Sequence, residues 1–213
     1  MFRRPLTTVV FGLLCALVPM AAQAGPGEAA QVLATLSADP VARDKAIDNG
    51  ARNATFCANC HGQSGVSNIP DVPNLAAQHP EYLLKQMNAF ITGARKAPFM
   101  EGLMRALSPQ ERAELVLFFA TRGAPAGVSG DPGQVATGKA AFAQLCARCH
   151  GADAHGTATA PRLAGQQPKY LRTSLMRYLT LSGERFYAPM TAQVTKLGEE
   201  RIEPVIQYLR TLR

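Results

Sequence analysis

The chain has 213 residues, is 47% hydrophobic and 17% charged, contains no Trp, and carries a formal charge of +7. That length admits one or two domains. With 7% aromatic residues a large aromatic core is excluded, so a cofactor or covalent staple is expected to share in stabilising the fold.

Arg3 and Arg4 precede an uncharged, mostly apolar run, Leu6–Val18, which Pro19 ends. Ala22-Gln23-Ala24 then places small residues where a signal peptidase reads. Residues 1–24 therefore read as a signal peptide cleaved after Ala24, and the mature protein is expected in the periplasm. The apolar run is short for a membrane span, which needs about 20 residues. Retention as an uncleaved anchor is the alternative, and loose membrane association fits the periplasmic reading. Cys15 lies inside the signal behind Leu14, a poor match to a lipoprotein site, and is expected to leave with it. Without Arg3 and Arg4 the charge is +5, and it is uneven. Residues 25–125 hold nine basic and nine acidic residues, whereas residues 126–213 hold eleven and six. A basic chain can serve nucleic acid, but export excludes that partner. A docking face for an acidic protein, or compensation for cofactor charge, remains.

The elements that follow are helical. Leu83, Leu84, Met87, Phe90 and Ile91 form an apolar stripe at helical spacing, and Ser108-Pro109 reads as an N-cap with Pro in the first turn. The helix behind it carries Leu115, Val116, Phe118 and Phe119. Gly123–Gly133, rich in Gly and Pro, reads as a linker. Leu171, Leu175, Tyr178 and Leu179 form a second stripe, and a last helix is expected over 199–212, kinked or weakened at Pro204. Strand signals are nearly absent, so the expected class is all-α.

These elements occur twice. Phe56–Gly62 matches Leu145–Gly151, Pro73–Gln78 matches Pro161–Gln166, Tyr82-Leu83 matches Tyr170-Leu171, and Arg95 matches Arg185, with offsets of 88–90 throughout. Two copies of domain size mean a duplicated domain and not a solenoid. The expected division is 25–122 for domain 1, 123–133 for the linker and 134–213 for domain 2.

Each copy carries Cys-x-x-Cys-His, at Cys57–His61 and at Cys146–His150. Two thiols one helical turn apart can each form a thioether with a vinyl group of one haem, and the adjacent His then supplies an axial nitrogen. Two covalent haem c groups are therefore expected, through Cys57, Cys60, Cys146 and Cys149. A zinc site would not need His after each second Cys, and a thioredoxin-like pair expects a βαβ setting. His79 and His155 occupy different positions in the two copies and read as exposed loop residues. Of the five methionines beyond the signal, only Met100 and Met190 coincide under the repeat, 39 residues after His61 and 40 after His150. Each follows a Pro and is expected in a loop that can turn inward, which makes His61/Met100 and His150/Met190 the axial pairs. A carbonyl near Pro73 or Pro161 is placed to orient the imidazole. Arg95 and Arg185 read either as partners for haem propionates or as solvated surface charges.

Cys57–His61, Pro73–Gln78, Tyr82–Gln86, Met100 and Leu107-Ser108, with the second set at Cys146–His150, Pro161–Gln166, Tyr170-Leu171 and Met190, resemble the diheme cytochrome c4 family. The resemblance covers nearly all of residues 50–213. It implies two class I cytochrome c domains packed face to face, with propionate edges near the interface. It also implies electron transfer, commonly from a quinol-oxidising complex toward a terminal oxidase. Two features depart from it. Residues 25–48 form a longer lead, with room for an added helix, and Asn53 stands in domain 1 where domain 2 has Phe142. Two protein ligands at each iron leave no open position, so an electron carrier and not an enzyme is expected. The alternatives are a diheme subunit of a periplasmic dehydrogenase complex, such as a flavoprotein oxidising a sulfur compound, and a haem enzyme with an open iron.

Overall fold

The structure, a computed structural model, describes residues 26–213. The expected signal peptide, the anchor alternative and Cys15 lie outside these residues. Helices dominate, and no strand forms among the described residues; the sole bridge recorded is an isolated antiparallel one between Arg95 and Arg185. No helix among the described residues is long and apolar enough to cross a membrane.

Domain 1 is built from α1 (Pro26–Ala38), α2 (Pro40–Asn53), α3 (Thr55–His61), α4 (Pro80–Ile91), α5 (Pro98–Ala106) and α6 (Pro109–Ala120). The N-terminal lead thus splits in two. α1 is an added helix whose Ala29 and Leu33 join the core beside Leu115, Val116 and Phe119. Residues 40–48 are the first turns of α2, a core helix, so no boundary falls at 48. Domain 2 repeats the plan without the added helix: α7 (Pro132–Leu145), α8 (Ala147–His150), α9 (Pro168–Leu179), α10 (Ala188–Leu197), a 3-10 turn (Glu199–Arg201) and α11 (Ile202–Leu209).

Prolines start most of these helices, because a first-turn residue needs no N–H and a fixed φ suits it. Asp131 caps α7 by accepting from the Gly133 amide at 2.9 Å, so the linker ends at Asp131 and its last two expected residues are helical. Pro204 causes no kink for the same reason. The expected single helix over 199–212 is instead a 3-10 turn followed by α11, and Pro204 falls in the first turn of α11.

In each domain the helix before the Cys-x-x-Cys-His motif, α2 or α7, crosses the last at a glycine. A Cβ on Gly50 would lie 2.2 Å from the Glu114 carbonyl oxygen, and one on Gly138 would lie 1.8 Å from that of Pro204. At the crossing, domain 2 packs Phe142 against Tyr208, ring centroids 5.6 Å apart. Domain 1 keeps an aromatic there, Phe118 beside Gly50, but has no counterpart of Phe142. Asn53 instead donates to the buried Glu114 carboxylate at 3.1 Å, joined by Asn49 at 2.7 Å and Gln110 at 2.9 Å. Three neutral donors satisfy the carboxylate, which is the condition for keeping such a group buried.

The capping box at α6 is complete. Ser108 Oγ accepts from the Glu111 amide at 3.2 Å, and the Glu111 carboxylate accepts from the Ser108 hydroxyl at 2.7 Å and amide at 2.8 Å, which hold the Glu111 carboxyl below its usual range. Ser108→Ala should therefore cost about 1 kcal/mol, read as a lower denaturant midpoint with unchanged haem absorption.

The two domains meet face to face about a pseudo-twofold axis. Gln166 reads the backbone of Asn74, accepting from its N–H at 2.7 Å and donating to its carbonyl at 3.0 Å. Gln78 does the same to Arg162, at 2.8 and 3.1 Å. The linker lies on α11, where Val128 N–H donates to the Arg210 carbonyl at 2.8 Å.

Candidate functional site

Each Cys-x-x-Cys-His motif closes a short helix, α3 or α8, and its histidine is the last helical residue. The following residues, Gly62 and Gly151, both take φ 78°, a left-handed conformation that suits glycine. A Cβ on Gly62 would also stand 2.0 Å from the Val66 carbonyl oxygen. The chain then loops back so that a proline carbonyl faces the imidazole. His61 Nδ1 lies 2.9 Å from the Pro73 carbonyl oxygen, and His150 Nδ1 lies 2.9 Å from that of Pro161. A carbonyl oxygen only accepts, so Nδ1 carries the proton and Nε2 keeps its lone pair for a metal. Both rings are buried, at 8% and 4% exposure. Burial pulls both pKa values below the usual histidine range, against the carbonyl hydrogen bonds, and the charge of Arg95 adds to the lowering at His61. Neutral imidazole is the form that ligates.

No disulfide joins the four motif cysteines. Cys57 and Cys146 are half-buried, and Cys60 and Cys149 are exposed. Burial pushes the Cys57 thiol up and the Cys146 thiol up to about 11, with Cys149 beside it adding to the effect. Redox-active Cys-x-x-Cys pairs need a lowered thiol pKa, and here the shift runs the other way. Among the described residues no three His, Cys, Asp or Glu side chains converge on a bare-metal site. Thioether attachment needs neither feature.

Met100 and Met190 are half-buried, and the structure corrects their setting. Neither is in a loop. Each lies in the first turn of a helix, α5 or α10, where Pro98 is the first residue and Pro189 the second. The other methionines have packing roles. Met104 is 3% exposed, Met87 packs against the core of domain 1, and Met176 packs against that of domain 2. Met100 and Met190 belong to neither core.

His79 and His155 both lie in loops, His155 exposed and His79 half-buried, and the two are linked. His79 Nε2 donates to the His155 carbonyl at 2.9 Å across the domain seam, and His155 meets the Arg213 carbonyl and the Asp153 carboxylate. Their different positions in the two copies gave no sign of this contact. Arg95 and Arg185 are half-buried at the same seam and bonded to tyrosine hydroxyls, so neither is simply a solvated charge. Sequence reasoning also missed an aromatic pair beside the first site. Phe56, before Cys57, stacks on Phe99, before Met100, with centroids 6.3 Å apart, and both are exposed.

The folded plan and the paired sites define a c-type cytochrome with two haem domains. The family model described as Cytochrome c matches residues 47–122 and again 135–213. Cytochrome c4 of Pseudomonas aeruginosa is 34% identical over 76% of this chain and 87% of that protein. The crystal structure of reduced recombinant cytochrome c4 from Pseudomonas stutzeri superposes with a TM-score of 0.71 at 27% identity, covering 78% of this chain and 98% of that one. The thiosulfate dehydrogenase electron acceptor of Stutzerimonas stutzeri is 30% identical over 84% of this chain and 90% of that protein. The chain belongs to the cytochrome c family and, within it, to the diheme cytochromes c4. It is an electron-transfer protein and not an enzyme, with two haem c groups held covalently at its Cys-x-x-Cys-His motifs.

Proposed function

We propose that the chain is an exported periplasmic carrier that moves single electrons in a respiratory chain, from a quinol-oxidising complex toward a terminal oxidase. The observation that carries this is the matched pair of sites: two buried imidazoles, each oriented by a proline carbonyl at 2.9 Å, with Met100 and Met190 at corresponding places. Cys57 and Cys60 attach one haem and Cys146 and Cys149 the other. His61 and Met100 would hold the iron in domain 1, residues 25–122, and His150 and Met190 that in domain 2, which begins with α7 at Pro132, so that 123–131 lie between them. Bound haem supplies one-electron ferric–ferrous chemistry. The chain's part is to fix the imidazole tautomer through Pro73 and Pro161, to fill both axial positions, and to set the potential through the Met sulfur and nearby charge.

Four ionised propionates bring the net charge of the reduced protein from +5 to about +1, spread as roughly −2 on domain 1 and +3 on domain 2. Domain 2 accordingly docks an acidic partner. Its electron exchange with such a partner should slow as salt rises, since attraction between exposed charges is screened within about 10 Å at 0.1 M. Stopped-flow rates independent of ionic strength would contradict that docking face.

A second reading has the same redox chemistry in a different place, as a stable partner of a periplasmic dehydrogenase, for example a flavoprotein acting on a sulfur compound. The relative named as a thiosulfate dehydrogenase electron acceptor favours it. Co-purification with a catalytic subunit at high salt selects this reading, and recovery of a free cytochrome selects the shuttle.

A further inference from the structure

The two arginines at the seam are arranged as a reciprocal brace. Each guanidinium lies over an aromatic ring of its own domain. Arg95 is 4.5 Å from the Phe90 ring and Arg185 is 5.3 Å from the Tyr178 ring, at corresponding places on α4 and α9. Each then reaches across. Arg95 Nη2 donates to the Tyr170 hydroxyl of domain 2 at 3.0 Å, and Arg185 Nη2 donates to the Tyr82 hydroxyl of domain 1 at 2.9 Å. Arg185 Nη1 also donates to Tyr170, at 3.1 Å, so one phenol oxygen is shared by both cations. The remaining bonds go to Gln86 and Ser174, again at corresponding places. The backbones join as well: Lys96 N–H donates to the Glu184 carbonyl at 2.8 Å.

No carboxylate among the described residues pairs with either guanidinium; the nearby Glu184 is bound to Arg177 at 2.7 Å. Burial pushes both the Tyr82 and the Tyr170 hydroxyl up; it prevails at Tyr82, whereas at Tyr170 the charges of Arg185 and Arg95, both bonded to that oxygen, prevail and hold it below the usual tyrosine range. Two like charges drawn onto one oxygen away from bulk water call for an anionic counter-group. Haem propionates are the carboxylates that the two cofactors would bring.

We infer that Arg95 and Arg185 form one shared cationic seam that counters the propionates of both haems, so that each arginine sets the potential of the haem in the other domain as well as its own. The inference rests on the haem placement proposed above. Positive charge near a haem disfavours the ferric state, so removing it lowers the potential.

The test is Arg185→Gln in the haem-loaded full-length protein, with both potentials read by optical redox titration and each haem followed separately by its methyl proton resonances. Both potentials should fall, and Arg185→Lys should restore most of the shift. Arg95→Gln should give the same double shift, and it decides the matter if Arg185→Gln does not retain both haems. A shift confined to the haem of the mutated domain, or no shift, overturns the inference. So does an equal double shift in Tyr82→Phe, which removes a bond but no charge and so reports a structural effect. Spectral haem counts keep the two readings apart: a wild-type protein without two His/Met haems defeats the proposed function, whereas two intact haems with independent potentials defeat only the shared seam.

Discussion

Replacing Met190 with Ala is expected to abolish the weak far-red absorption of Met–iron ligation at one haem and to lower that haem's potential by roughly a few tenths of a volt, within the ~0.8 V that axial ligands span. The haem itself should stay, because Cys146 and Cys149 attach it independently of the axial sulfur. The thioether favours the reduced iron, and water or hydroxide in its place does not. Met100→Ala should do the same to the other haem alone. Met104 is the control. It is 3% exposed and serves packing, so Met104→Ala should cost about 2–5 kcal/mol of stability while leaving the far-red band intact. Loss of that band in Met104→Ala, or its full survival in Met190→Ala, would overturn the ligand assignment. Optical titration of the three variants reads all of these outcomes.

Gly138→Ala should be as damaging to the fold as Met190→Ala is to the potential. The added Cβ would meet the Pro204 carbonyl oxygen at 1.8 Å and its carbonyl carbon at 2.4 Å. Both belong to the backbone of α11, so no side-chain rotation relieves the clash. The helices must separate, which exposes Phe142, Ile202 and Ile206, all now within 1% of full burial. Inserting volume into a packed core costs about 1–3 kcal/mol when side chains can adapt. Here they cannot, and the cost should exceed about 4 kcal/mol, the range reserved for severe steric or core defects. Against a total stability of about 5–15 kcal/mol, domain 2 should melt far below domain 1 and mature with one haem in place of two. Gly50→Ala should do the corresponding damage to domain 1 through Glu114. Near-normal melting and two haems in Gly138→Ala would show that the crossing is looser than the structure has it.

The duplication made much of this legible in the primary sequence. It separated Met100 and Met190 from three methionines that pack, because only those two recur at one place in both copies. It also located the proline loops that orient His61 and His150. It could not show what differs between the copies. The buried Glu114 with its three amide donors stands where domain 2 has Pro204 and a Phe142–Tyr208 contact, and nothing in local pattern links Asn49 or Asn53 to a residue more than sixty positions away. Helix starts were legible only in part. Ser108-Pro109 was read as a cap, while Asp131-Pro132 has the same chemistry but was hidden by the glycines around it. The methionines were expected in loops because a proline precedes each, yet the same prolines stand in the first turn of α5 and α10. The seam was least legible of all. Arg95 and Arg185 correspond under the repeat, but their meeting at one tyrosine oxygen depends on how two domains dock, which no local signal records.

The chain is a diheme electron-transfer protein, and the proposal to be tested is that each haem is held by one His and one Met. An optical redox titration of the purified wild-type protein tests that most directly. The account predicts absorption for two haem c groups per chain, a far-red band in the ferric protein equivalent to two Met-ligated irons, and full oxidation and reduction by two electrons in total. One haem per chain, or a ferric spectrum in which either iron lacks the Met band and binds carbon monoxide rapidly once reduced, would contradict it.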